Sequence, residues 1–384
     1  MDILKLTIRF QGKILKIIYL FLITCPILAQ NSDDSKDILQ TFSNKLDSIR
    51  QQNHIPGLAV GIVQDQESVW SKGFGKSHFD TGDGAAYQQV TPNTPFWIAS
   101  LTKTFLGLLF LQLEDDGSVD LDDQINNLPK WSGFCNWLAN STIIFGKDLR
   151  CEDPITIRNI LNHTVNGEPG TQFRYNPIMY SRLSRYIEYI HGNSIDQAEI
   201  GHNKLAELVQ EKILGPAKMD RTMSSQWQRS KPLVFFDMAQ GYGYQDGKYK
   251  SHQRPERHLA GGAGIVSTIE DLAKYDIALD QGLLANDLVM AKLFTPPVNP
   301  DGVVLPYAFG WYVQKYKGEK LVWHSGWDEE AGFSALYLKV PERNITFILL
   351  ANSGGLWWGN PLDSAEVHKS PFAKLFIDTF LTNE

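Results

Sequence analysis

The sequence lacks several features that define common functional classes. Lysine and arginine number 36 against 43 acidic residues, the net charge is -7, and no basic stripe occurs, so nucleic-acid binding is not expected. The nine histidines are scattered without His-Glu-x-x-His or Cys-x-x-Cys spacing, so no metal centre is expected. No Gly-x-Ser-x-Gly surrounds a serine, which argues against a Ser–His–Asp hydrolase. Internal repeats and low-complexity linkers are also missing, and 384 residues suffice for one large domain.

An apolar segment at the N-terminus predicts export. Residues 17–28 form a short apolar run that ends at Ala29 and follows four basic residues, Lys5, Arg9, Lys13 and Lys16. This pattern is typical of a signal peptide over residues 1–29, with a mature periplasmic or secreted protein from residue 30 to 384. The run is too short to span a membrane comfortably, and we expect no transmembrane span in the mature chain. One weaker alternative is a lipoprotein site at Cys25, which a threonine directly before the cysteine fits poorly. Another is an uncleaved membrane anchor.

Cysteine is scarce as well. The mature chain retains only Cys135 and Cys151, an even pair in a protein expected to reach an oxidising compartment. We therefore expect a disulfide between them. The alternative is a pair of buried thiols.

The order of elements predicts an α+β fold. Apolar residues recur at helical spacing over 37–52, two short strands follow, and four strands and a final amphipathic helix close the chain. The economical architecture is one antiparallel sheet, flanked by the N- and C-terminal helices and built from residues 37–103 and 258–384. Residues 104–257 would form an inserted helical subdomain within the same catalytic domain. We expect a cleft between the two parts, walled by loops at 235–257 and 353–367.

Ser100 and Lys103 form the only Ser-x-x-Lys tetrad of the chain. It follows TPNTPFWIA and opens the apolar run FLGLLFLQL, which indicates a helix start. A serine there lies near unpaired N–H groups and the positive end of the helix dipole, and a lysine three residues later shares its face. The pair is a candidate nucleophile with its proton acceptor. The alternative is a capping serine followed by a solvated lysine.

Tyr175 is a second candidate. The Asn176-Pro177 pair that follows it disfavours helical backbone, so the tyrosine is expected on a loop. A cation close to a phenol favours the phenolate, and Lys103 would supply that charge. The alternative is a tyrosine that only packs its ring.

A third cluster, His324-Ser325-Gly326-Trp327, ends a predicted strand. Gly326 would permit close approach of a ligand or backbone. The N–H groups of Ser100 and Trp327 would form an oxyanion hole. His324 would assist the proton path or bind an anionic group, or else be a buried strand histidine.

These clusters, in this order, resemble the serine beta-lactamase and penicillin-binding-protein family. The similarity also includes IPGLAV at 55–60, ITIRNILNHT at 155–164, residues 261–275 and FGW at 309–311. It is strongest to the branch with class C beta-lactamases, D-alanyl-D-alanine carboxypeptidases and esterases. The resemblance implies that Ser100 is acylated, that Lys103 and Tyr175 move its proton, and that His324 heads the third motif. Asn176, Ser325 and Gly326 would then contact substrate, although Asn176 stands one position away from the usual asparagine.

The resulting hypothesis is an exported serine hydrolase that works through an acyl-enzyme without metal or organic cofactor. Its substrate would be a D-amino peptide, a cell-wall fragment, a beta-lactam-like compound, or a small ester or amide. The alternative, motivated by the altered motif at Asn176-Pro177, is a receptor for muropeptides or penicillin that keeps the cleft without turnover. A self-assembling scaffold has no supporting feature.

Overall fold

A computed structural model describes residues 32–79, 88–196, 204–225, 231–255 and 259–381. The signal peptide expected over 1–29, with Cys25 and Ala29, lies outside these residues. The described residues divide into two units between Thr41 and Phe42. All contacts below lie within the second unit.

The helices and strands are numbered along the chain. The helices are α1 Ser32–Gln52, α2 Thr102–Asp115, α3 Trp131–Asn140, α4 Ile157–Leu161, α5 Pro177–Ile190, α6 Lys204–Val209, α7 Pro232–Phe236, α8 Ile269–Asp280, α9 Asp287–Leu293 and α10 Pro371–Phe380. The strands are β1 Gly57–Gln64, β2 Glu67–His78, β3 Gln88–Gln89, β4 Phe96–Trp97, β5 Tyr242–Gln245, β6 Lys248–Ser251, β7 Val266–Ser267, β8 Tyr307–Ala308, β9 Trp311–Tyr316, β10 Glu319–Asp328, β11 Phe333–Val340 and β12 Ile345–Ala351.

One antiparallel sheet joins the two ends of the chain. Within the described ranges it has eight strands, in the order β3-β2-β1-β12-β11-β10-β9-β8. Strand β1 pairs with β12 from Leu58 opposite Ala351 to Gln64 opposite Ile345. Strands β1, β11 and β12 are buried along their whole length, which explains their nearly continuous apolar sequences. The predicted α+β fold is confirmed.

Helices cover both faces of this sheet. Phe42 of α1 packs against Phe347 of β12 and Phe380 of α10, with ring centroids 5.8 and 5.0 Å apart. Helix α8 lies against β1, where a Cβ on Gly61 would come within 2.6 Å of Ile269. The sheet is therefore flanked by the N- and C-terminal helices, as the sequence predicts.

The segment between α2 and β7 holds helices α3 to α7 and the predicted disulfide. Cys135 of α3 is bonded to Cys151, and their Cα atoms lie 5.7 Å apart. The disulfide prediction is confirmed. Among the helices of the described residues, none is long and apolar enough to cross a membrane.

The expectation of a loop over 235–257 is wrong in part. This stretch contains the hairpin β5–β6, which turns at Asp246 and Gly247 with φ of +54° and +74°. Two adjacent positive φ values are what a tight hairpin turn needs, and Asp-Gly is a favoured pair for it. Tyr244 of β5 stacks on His54 with ring centroids 3.8 Å apart, which fixes the hairpin to the end of α1.

Candidate active site

Ser100 lies in a 3-10 turn, Ala99–Leu101, that leads directly into α2. Ala99 has a φ of +46°, an unusual conformation for a residue with a side chain. Two hydrogen bonds to Ile265 hold the turn. The Ile265 N–H donates to Thr102 Oγ1 at 3.3 Å, and the Ile265 carbonyl accepts from the Ile98 N–H at 3.2 Å. The serine is therefore fixed at the start of a helix.

Lys103 projects from the first turn of α2, and its side chain is fully buried. Its Nζ lies 3.0 Å from Ser100 Oγ and donates to the carbonyl of Gly262 at 2.8 Å. The nitrogen also lies 5.0 and 5.3 Å from the ring centroids of Tyr175 and Tyr180. Burial holds the pKa of Lys103 well below its ordinary value. A neutral amine beside a hydroxyl can accept its proton.

The Gly262 carbonyl reaches Lys103 because two glycines allow the loop to lie against α5. Gly261 has a φ of +93°, and a Cβ there would come within 2.3 Å of the carbonyl oxygen of Tyr180. A Cβ on Gly262 would lie 2.9 Å from the carbonyl oxygen of Pro177. Sequence reasoning missed this partner, although the run Gly-Gly-Ala-Gly from position 261 was a signal of close backbone approach.

Tyr175 is buried beside the serine. It lines the cavity that contains Ser100, its backbone N–H donates to Asp363 Oδ1 at 2.9 Å, and its ring centroid lies 4.4 Å from that of His163. Burial raises the pKa of Tyr175, and interaction with the Ser100 hydroxyl offsets only part of that rise. The phenolate expected from the sequence is therefore not favoured, because burial outweighs the interaction that lowers this pKa. The residue is a protonated phenol.

Asn176 is fully buried and does not line the cavity next to Ser100. Its Oδ1 accepts from Met179 N–H at 3.1 Å, which caps α5. Its Nδ2 donates to the Phe145 carbonyl at 2.8 Å and to Asn166 Oδ1 at 3.0 Å. The amide is thus engaged in holding the backbone around Tyr175.

His324 is buried within β10, which continues to Asp328. Its Nδ1 lies 2.6 Å from the Ser325 carbonyl oxygen, and its Nε2 lies 3.0 Å from the Tyr307 hydroxyl. A carbonyl only accepts, so Nδ1 carries the proton and Nε2 accepts from Tyr307. Burial lowers the pKa of His324 well below its ordinary value. This imidazole is neutral, which argues against its role as a charged anchor for an anion.

Gly326 lets the turn that carries Ser100 approach β10. A Cβ at this position would lie 2.1 Å from the carbonyl oxygen of Ile98. The glycine itself does not line the cavity, whereas Ser325 and Trp327 on either side of it do. The Trp327 side chain is 40% exposed.

A cavity of about 160 Å³ opens on Ser100. It brings together five of the predicted residues, namely Ser100, Tyr175, His324, Ser325 and Trp327, while Lys103 lies behind the serine. Three others in its wall, Trp357, Asn360 and Leu362, belong to the 353–367 loop that the sequence predicts as a wall of the cleft. Pro177 and Tyr312 line it as well, and sequence reasoning missed Phe145. Within the described part of the chain, no group of three His, Cys, Asp or Glu residues could hold a metal ion.

An antiparallel sheet with a helical insert and a Ser-Lys pair at the start of a helix defines the class of serine beta-lactamases and penicillin-binding proteins. The beta-lactamase family profile matches residues 42–366. The chain belongs to the beta-lactamase family, whose members include amidases, carboxypeptidases and other serine hydrolases.

Two curated relatives align along most of the chain. The unguisins hydrolase ungD' of Aspergillus campestris is 26% identical over 85% of this chain and 64% of its own length. Protein flp of Staphylococcus aureus is 26% identical over 83% of this chain and 64% of its own length. The chain therefore spans less than two thirds of each of these relatives.

Solved structures share the fold at lower identity. A penicillin-binding protein homologue from Pyrococcus abyssi superposes with a TM-score of 0.66, at 21% identity, over 88% of this chain and 77% of its own. The D-amino acid amidase of Ochrobactrum anthropi gives a TM-score of 0.61, at 18% identity, over 90% of this chain and 97% of its own.

Proposed function

We propose that this protein is an exported serine hydrolase that works through an acyl-enzyme on Ser100. The observation that carries the proposal is the distance of 3.0 Å between Ser100 Oγ and the buried Nζ of Lys103. Burial lowers the pKa of that amine well below its ordinary value, so it is available as a base. Export is supported by the N-terminal segment and by the disulfide, because disulfides persist in oxidising compartments.

Acylation begins when Ser100 Oγ attacks the substrate carbonyl carbon and its proton moves to Lys103 Nζ. The backbone N–H groups of Ser100 and Trp327 are the proposed donors to the resulting oxyanion. The close approach of the nucleophile turn to β10 at Gly326 supports this pairing. Collapse of the tetrahedral intermediate breaks the bond to the leaving group and leaves an ester on Ser100.

Tyr175 is the proposed relay to the leaving group. As a protonated phenol that lines the same cavity as Ser100, it donates its proton to the departing nitrogen or oxygen and is reprotonated from the Lys103 ammonium. In the second half-reaction, a water gives its proton along the reverse path to Lys103 and attacks the acyl carbon. The ester bond to Ser100 Oγ then breaks, the acid leaves, and Lys103 returns the proton to Ser100 Oγ. His324, neutral and bonded to Tyr307, is proposed to hold the cavity wall in shape.

The proposed substrates are D-amino peptides, cell-wall fragments, or small esters and amides. The amidase among the similar structures supports this class, since its name describes cleavage of an amide bond, and the hydrolase among the relatives is consistent with it. Asn176 is proposed as a structural cap, because its amide is already bonded within the protein.

Covalent labelling tests the proposal. A fluorophosphonate should add to native protein, with a bond from Ser100 Oγ to phosphorus and loss of fluoride, seen as one adduct by intact mass. Ser100→Ala should abolish the adduct, and the exposed control Ser118→Ala should keep it. Ligand binding without any Ser100 adduct would favour the receptor alternative and overturn the hydrolase.

Export is tested separately. N-terminal sequencing of the exported protein should give a sequence that begins directly after Ala29.

A further inference from the structure

Two cavities meet at the candidate active site. The one that contains Ser100 measures about 160 Å³, and a groove of about 760 Å³ adjoins it. Trp327 and Trp357 line both, so they form the common wall. A volume near 150 Å³ holds about one benzene ring, whereas sites for larger ligands measure roughly 300–1,000 Å³. The smaller cavity therefore accommodates the reacting carbonyl and one small substituent, and a longer substrate can extend across the tryptophans into the groove.

The tryptophan pair presents a flat aromatic surface at this junction. The rings stack with centroids 5.4 Å apart and an interplanar angle of 21°. Trp327 is 40% exposed and Trp357 is half-buried. Farther along the groove, Tyr244 is 42% exposed and is held by its stack on His54. These faces suit a planar, apolar group, because aromatic rings pack well in offset or edge-to-face contact.

Two polar side chains of the groove already have partners within the protein. Asn53 Nδ2 donates to the Ile49 carbonyl at 2.9 Å, and Gln245 Oε1 accepts from Lys250 Nζ at 2.9 Å. These two amides are already bonded within the protein, whereas the aromatic faces of the groove remain exposed. The groove also carries one charge of each sign, on Lys250 and Glu329. An uncharged ligand with an aromatic ring fits this surface best.

We propose that the groove is a second subsite, which binds an aromatic ring of an elongated, uncharged acyl donor across Trp327 and Trp357. The proposal deepens the hydrolase function and rests on it only for the reaction at Ser100.

Paired probes test it kinetically. Two fluorophosphonates would be compared, one with a short alkyl arm and one whose longer arm ends in a naphthyl ring. Wild-type protein should react about tenfold faster with the naphthyl probe. Trp357→Ala should bring the ratio of the two rates close to one, whereas Trp137→Ala, at a 57% exposed tryptophan on α3, should leave the ratio unchanged. Equal rates in wild-type protein would overturn the proposal.

A binding measurement separates this proposal from the proposed function. Titration calorimetry would follow a neutral, unreactive naphthyl amide added to Ser100→Ala protein. The added changes Trp357→Ala and Tyr244→Ala should each weaken binding by about fivefold or more. If neither probe labels Ser100 but the amide binds in this pattern, the subsite stands and the hydrolase fails. Overturning results are labelling by the short probe with no amide binding, or binding of a neutral disaccharide where the amide does not bind.

Discussion

Lys103 and Lys339 are both buried, but among the residues that the structure describes, carboxylates surround only the side-chain nitrogen of Lys339. Lys339, on β11, lies 2.9 Å from Asp276 and 2.7 Å from Asp280, two carboxylates of α8. Lys103 has a hydroxyl, a carbonyl and two aromatic rings around its nitrogen. Burial alone would lower the pKa of Lys339, but the two carboxylates raise it above its ordinary value. No carboxylate of the described residues offsets the burial of Lys103, and the pKa of Lys103 falls well below its ordinary value.

The contrast shows how one fold uses the same side chain in two ways. Lys339 of β11 donates to Asp276 of α8, and the Tyr337 hydroxyl donates to the same carboxylate. At the cleft, burial lowers the pKa of a lysine that lies 3.0 Å from a serine hydroxyl. The surroundings, not the residue type, therefore set the pKa of each lysine.

The largest expected effect would break the base assignment. Lys103→Met should reduce the rate of fluorophosphonate labelling by about 10³-fold, because no group remains to take the Ser100 proton. Lys45→Met, at an exposed position of α1, is the matched control and should label normally. Labelling of Lys103→Met at the wild-type rate would show that another base acts.

The same pair of lysines should differ in stability. Lys339→Met leaves Asp276 buried without its cation and should lower the free energy of unfolding by about 3–5 kcal/mol. Lys103→Met removes no ion pair, and we expect a change below about 1.5 kcal/mol. Urea denaturation monitored by tryptophan fluorescence measures both. Equal losses in the two variants would contradict the contrast.

The disulfide should affect stability but not the reaction of Ser100. Cys135 and Cys151 are 16 residues apart, and a closed loop of this size contributes about 3 kcal/mol. The double variant Cys135→Ala/Cys151→Ala should unfold at lower urea concentration and still label Ser100 at the wild-type rate below its transition. Loss of labelling in the folded double variant would show that the disulfide shapes the cleft.

The smallest effects concern pH, and the two lysines should act with opposite sign. Folded protein binds fewer protons at Lys103 than unfolded chain does, between the depressed pKa and the ordinary lysine value, so this residue makes stability rise with pH across that window. The contribution of Lys339 is complete below the ordinary value and is lost as pH rises through the elevated pKa. Unfolding free energies of wild-type protein and both methionine variants across pH would separate the two slopes. Parallel slopes would refute the assignment.

Local patterns in the sequence were sufficient for much of the fold. The helix after Ser100, the first hairpin and the C-terminal strands follow from periodicity and turn residues, which act over a few positions. Two local signals were misjudged. Asn176 before Pro177 is a typical cap followed by a first-turn proline, and Asp246-Gly247 is a typical hairpin turn.

Other parts of the site could not be predicted from the sequence. The Gly262 carbonyl meets Lys103 across a separation of 159 residues, and Trp357 reaches Trp327 from a different loop. Such contacts depend on tertiary packing, which periodicity does not encode. The depressed pKa of Lys103 likewise follows from complete burial, and a lysine three residues after a serine in the sequence does not reveal whether its side chain is buried.

A titration of the lysine side chains would test the central contrast most directly. Protein labelled with ¹³C at lysine Cε would be followed by NMR across pH, with Lys103→Met and Lys339→Met used to assign the two resonances. We expect the Lys103 resonance to titrate well below the ordinary lysine pKa and the Lys339 resonance above it. A Lys103 resonance that titrates at or above the ordinary value would contradict the account, because the amine beside Ser100 would then be charged and unable to accept its proton.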